Sequence, residues 1–160
     1  MLTTAQLQAL KTDIAADPVL SLIPQNSDGA FEVAQAYNLL AAPLFWVWKS
    51  LVSLEDVGGA LVASEVEGLT TAENGRMQTF AQFNPSGFSP WRLDHRLFFE
   101  GVFSGAGGAA TRAALDTLWK REATRGEALL ATGTGSLASP AVLEFEGNIN
   151  YRDVLNAWSS

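Results

Sequence analysis

Four helix starts stand out along this chain, each with a residue able to cap a helix three positions before an acid or an amide: Thr3 and Gln6, Ser53 and Asp56, Thr70 and Glu73, Asn150 and Asp153. At that spacing the first side chain accepts a hydrogen bond from a free amide of the first helical turn, while the second reaches back to the cap's own amide. A sequence that writes helix starts at both ends and in its middle is constrained towards a helical fold. The apolar residues agree. Leu7, Leu10 and Ile14 follow Thr3 at helical spacing; Phe31, Ala34, Tyr37 and Leu40 follow a cap at Ser27 or Asp28; Met77, Phe80 and Ala81 follow Thr70. Stops are written as clearly, at Asp17-Pro18, Pro43 and Asn84-Pro85.

Ser89-Pro90 predicts the start of a further helix, running to about Phe103, because the hydroxyl can cap free amides and proline suits the first helical position. After the glycine-rich break at residues 104–108, Ala109 to Ala131 reads as the longest helix, interrupted by Gly126. Thr132 to Ser136 stops it, and Val142 to Glu146 carries the alternation of a half-exposed strand. Asn150 and Asp153 then cap a short terminal helix with Val154, Leu155 and Trp158. The expected class is mainly α: a helical bundle of five or six helices over residues 1–131. Residues 132–160 are expected as a C-terminal extended arm with a short β-segment and a terminal helix.

At 160 residues the chain fits one ordinary domain able to bury its own core without disulfides or metal, and it has no cysteine to supply either. The N-terminus lacks a basic segment followed by an apolar run, so no signal peptide is expected. No run approaches the ~20 apolar residues needed to span a bilayer. Charge is lopsided. Residues 1–75 carry nine acids against two bases, whereas residues 76–160 are balanced, so no cationic face is written for gripping phosphates. Only 17% of residues are charged while 48% are hydrophobic, which leaves apolar surface for partners.

Catalytic constellations fail one by one. His95 is the sole histidine, so a histidine-based metal site would have to gather carboxylates from afar; between Asp94 and Arg96 it reads as a helix-surface or interface residue. Gly133 and Gly135 follow a helix, the reverse of a phosphate loop, and no lysine succeeds them, so a helix end is the better reading. Glu144 and Glu146 fall on one strand face and could form a carboxylate pair, but exposed acids in that pattern are ordinarily solvated. Ser104 and Ser136 lie beside glycines without fitting a nucleophile elbow. No enzyme activity, cofactor or metal is expected.

Partner contact is the remaining reading. Phe45, Trp46 and Trp48 sit in the densest aromatic stretch, open to a role in the core, at a subunit interface or as a ligand platform. Lys120, Arg121 and Arg125 form a small basic cluster, either paired with Asp116, Glu122 or Glu127 nearby or docked on an acidic neighbour. With Phe145, Tyr151 and Trp158 they make up the expected oligomer or partner interface.

Several segments carry a resemblance: Asn26-Ser27-Asp28-Gly29-Ala30, Ala36-Tyr37-Asn38, Phe45-Trp46-Val47-Trp48, Ala123-Thr124-Arg125-Gly126-Glu127, Ala131 to Ser136 and Phe145-Glu146-Gly147. Together they resemble a family of small tailed-bacteriophage virion structural proteins, with residues 58–90 least alike. The resemblance implies a neck component, a head-to-tail adaptor forming a homo-oligomeric ring with copies of itself between portal and tail proteins. DNA would pass through a channel without specific binding. Asp13, Asp17, Glu32, Glu55 and Asp56 would line that channel if the acidic half faces it, with assembly in the bacterial cytoplasm and no membrane. Two rivals stand beside this: another virion part, such as a tail-completion or capsid-decorating protein, and a small nonstructural enzyme or regulator.

Overall fold

The computed structural model describes residues 1–160, of which 56% are helical, in nine α-helices and two short 3-10 turns, with two small strand pairs. The chain is mainly α, as the caps predict, and it divides into two compact units.

Unit 1 takes residues 1–47 and 122–160. It holds α1 (Thr4–Ala16), α2 (Ser27–Tyr37), α8 (Arg125–Leu129), β3 (Ala131–Thr132), β4 (Val142–Leu143) and α9 (Tyr151–Ser159). Thr3 and Gln6 form the expected capping box on α1, and Asn150 and Asp153 form another on α9. The cap of α2 is Asn26, one residue earlier than expected, whose side chain accepts from the Gly29 amide at 2.9 Å. Helix α9 packs on both α1 and α2. Leu10, Ile14, Val33, Tyr37, Ile149, Val154 and Ala157 are all buried where they meet, each larger side chain contributing about 1.5–3 kcal/mol of burial. The terminal helix expected in residues 132–160 is present, and with Ile149 it belongs to this core. The strand expected over 142–146 is limited to β4, which pairs antiparallel with β3 through Ala131–Leu143 and Thr132–Val142.

The long helix expected over 109–131 is also revised. Helix α7 (Ala109–Leu118) ends at Leu118, strand β2 occupies Lys120–Glu122, and Thr124 with Glu127 makes an unforeseen capping box that starts α8 anew. Gly126, expected as a flaw in that helix, is a packing requirement: a Cβ there would lie 2.7 Å from Ile149 and 3.3 Å from the Tyr37 carbonyl.

Unit 2 is the continuous stretch 48–121. It contains α3 (Leu54–Ala60), α4 (Ala63–Glu67), α5 (Thr71–Phe83), α6 (Leu93–Val102) and α7, around buried Val52, Val57, Phe88, Phe99, Val102, Phe103, Leu115 and Trp119. Ser53 caps α3, and the Thr70–Glu73 capping box starts α5 as expected. Helix α4 was not anticipated. Its Glu65 carboxylate accepts from the Ala110 and Thr111 amides at 3.0 and 2.7 Å, serving as the cap that the glycines before α7 cannot provide. Hydrogen bonds from the Thr111 hydroxyl and amide hold this carboxyl below the usual carboxylate range. Ser89-Pro90 does not start α6. The Ser89 amide instead donates to His95 Nδ1 at 3.1 Å, a turn spans 89–92, and the helix begins at Leu93. The chain passes from unit 1 to unit 2 in β1 (Trp46–Trp48) and returns in β2.

Candidate functional site

The nine residues expected at an interface are divided between the two units. Within unit 1, Phe45 packs on the small cluster of Val47, Ala123 and Ala141. Its ring lies where any side chain at Gly135 would stand, 2.2 Å from a Cβ there, and Gly135 holds the left-handed φ of +66° that glycine permits. Trp46 is half-buried in β1, its amide donating to the Gly135 carbonyl at 2.7 Å and its carbonyl accepting from Ala141 at 2.9 Å. Phe145 and Trp158 pack against the main core of the unit. Tyr151 stacks on Phe31 with ring centroids 4.4 Å apart.

Within unit 2, Trp48 receives two cations on its ring, the Arg96 guanidinium at 4.2 Å and the Lys120 ammonium at 5.4 Å from the centroid. Lys120 also pairs with Asp116 at 2.6 Å, and its side chain is only 8% exposed. Arg121 is half-buried in β2. Lys120 and Arg121 thus stand on a strand and Arg125 on α8, so the basic cluster is not a stripe on one helix.

Arg125 organises the charged centre of unit 1. Its guanidinium pairs with Asp13 and Asp17, both at 2.8 Å, and lies over the Tyr37 ring at 4.6 Å from the centroid. Tyr37 donates its hydroxyl to Asp13 at 2.5 Å. Burial, reinforced by that hydrogen bond to a carboxylate, pushes the phenol far above the usual tyrosine range. Asp17 also accepts from the Leu20 and Val19 amides, which, with Arg125, hold its carboxyl below the usual carboxylate range. The arrangement ties α1 to α2 and α8; each polar group in it already has a partner of this chain.

The open apolar surface lies elsewhere. In unit 2 a groove of about 570 Å³ runs along α5, floored by Phe80 and Phe98, which stack at 4.2 Å, and flanked by Ala72, Gly75, Thr79 and Phe83. The Phe83 ring is 82% exposed at its edge, and the Arg76 guanidinium lies 5.7 Å from the Phe98 centroid. This groove falls in the segment where sequence reasoning singled out no site. The readable signal was Phe83, which stands off the Met77–Phe80 face of α5 and so has no place in that helix's own core contact.

His95 is buried at 7% exposure, not on the helix surface, because its ring turns inward against Phe80 and accepts the Ser89 amide. Burial, and then the nearby Arg92, lowers its pKa from the ordinary value. Glu144 and Glu146 lie beyond the end of β4 and are exposed, with Glu144 accepting from the Thr132 hydroxyl. No group of three or more histidine, aspartate or glutamate side chains is placed to hold a metal ion, and no helix is long and apolar enough to cross a membrane. No protein family, curated protein or solved structure matches the chain.

Proposed function

We propose that the chain is a structural subunit of a tailed-bacteriophage particle, placed at the neck as a head-to-tail adaptor that forms a ring with copies of itself between portal and tail. The observation that carries the reading is large apolar side chains standing in solvent on a chain whose two cores are complete without them. Leu39, Leu40 and Leu44 are each more than half exposed within one six-residue run, and Leu22 and Phe83 are more than four-fifths exposed. Clustered apolar exposure of this kind marks surfaces made for protein partners. The likeness of the segments at residues 26–48 and 123–147 to small tailed-phage proteins supplies the assembly.

Heterologous contacts between identical subunits close into a ring when the rotation is right. Portal and tail proteins take the two faces of that ring. The acids suggested for a DNA channel differ in what they offer. Asp13 and Asp17 are already paired with Arg125, whereas Glu32, Glu55 and Asp56 are exposed and free to repel phosphate.

Peptide mass spectrometry of purified particles, with a cryo-electron microscopy map of the neck, tests the reading. The chain is expected in intact particles in fixed ratio to the portal, with density directly beneath it. Recovery only from the soluble lysate would end the proposal, and density at the capsid surface or tail tip would reassign it to another virion part.

A further inference from the structure

Helix α5 has no fully buried residue anywhere along it, although Met77 and Phe80 pack against the core of unit 2. Its outward line reads Ala72, Gly75, Thr79, Phe83, positions three or four apart and therefore on one side of the helix. The line runs from small to large. A Cβ built at Gly75 meets nothing within 4 Å, whereas Phe83 projects a ring that is 82% exposed. A hollow and a knob thus lie on the same helix, four residues to either side of Thr79 and about 12 Å apart at ~1.5 Å per residue.

We propose that this face pairs with the same face of a second copy of the chain, the two α5 helices antiparallel about a two-fold axis at Thr79. Each Phe83 ring then seats over the other copy's Gly75 hollow and against its Phe80 and Phe98 floor. The occupant follows from self-complementarity. Knob and hollow are equidistant from Thr79, so one rotation satisfies both at once, as an isologous contact requires. Small residues at Ala72, Gly75 and Thr79 let the helix axes come near the close end of the usual 8–10 Å.

Charge fits the same register. The two-fold sets Arg76 opposite Gln82 and Glu73 opposite Pro85, so no like charges meet. The Arg76 guanidinium, beside Gly75, flanks the incoming Phe83 ring, a favourable meeting of cation and aromatic face. One helix face with two phenylalanine rings falls short of the ~800 Å² per partner of a standard interface, so the dimer is weak and concentration-dependent. An isologous contact closes at two copies, so it is separate from any ring contact and stands whether or not the chain belongs to a virion.

The chain has no cysteine, so a single introduced thiol reports alone. Thr79→Cys places two thiols at the axis, where the Cα separation needed for a disulfide, about 4.4–6.8 Å, can be met. Gln78→Cys, equally exposed and turned about 100° round the helix, does not. Under mild oxidation T79C is expected to cross-link about tenfold or more faster than Q78C. Adding Phe83→Glu should slow T79C to the Q78C rate while the circular dichroism spectrum is unchanged, since Phe83 lies outside the core. Equal rates for the two cysteines, or a T79C rate indifferent to F83E, would overturn the proposal.

Discussion

The indole N–H of Trp119 is buried without an acceptor, its ring edge-on to Phe88 at 5.6 Å. An unsatisfied buried donor costs about 1–3 kcal/mol, which replacement by phenylalanine removes along with some packing. Trp119→Phe is therefore expected to destabilise by only about 1 kcal/mol in urea unfolding, against about 3–5 kcal/mol for Trp119→Ala. His95 is the second residue whose chemistry shows in stability. Its folded pKa lies below the unfolded value of about 6.5, so the unfolded chain binds the proton more readily and stability falls as pH drops through that value towards the folded pKa. Urea midpoints between pH 7.5 and 5 should decline, and His95→Gln should flatten the decline. The sequence hid this inward histidine behind Asp94 and Arg96, its charged neighbours. They are turned about 100° to either side on α6 and say nothing of the face between them.

At the scale of elements, the starts of α1, α3, α5 and α9 were readable because a cap acts within four residues and needs no knowledge of the fold. At α7 and α6 the starts were misplaced because the partner was distant or already claimed. Glu65 caps α7 from 45 residues away, and the Ser89 amide is held by His95. The supposed 109–131 helix failed because the leucines of α7 and Leu129 of α8 fall at spacings that one helix could also hold, and nothing in a periodic pattern reveals a three-residue strand between them. The Thr124–Glu127 box was the legible clue. Arg125, one residue further on, fastens α8 to α1 by its pairs with Asp13 and Asp17. With side chains roughly a fifth to a third exposed, these pairs fall between surface and buried ion pairs in strength. Arg125→Met should cost about 1–2 kcal/mol, with a loss that shrinks when the unfolding experiment is repeated at high salt.

At the scale of the whole molecule, the mainly helical class was legible and the division into units was not, since unit 1 joins residues more than a hundred positions apart. The glycines and serines of 132–139 read as a departure from a body, yet residues 140–160 complete one. Deleting residues 148–160 would strip Ile149, Val154 and Ala157 from the α1–α2 core, a loss on the order of 5 kcal/mol, comparable with the ~5–15 kcal/mol that holds a domain folded. Hydrogen exchange is expected to show unit 1 amides unprotected and unit 2 amides protected in the truncated chain; protection retained in unit 1 would show that its core does not need α9. The split has a further consequence on the ribosome. Unit 2 emerges in one piece, whereas Leu10, Ile14, Val33 and Tyr37 must wait for α9, some hundred residues later. At ~5–20 residues per second that is a delay of roughly 5–20 s. During it the first two helices are nascent chain with an unfinished apolar face, and a chaperone that shields residues 1–47 through this interval would raise the yield of folded protein.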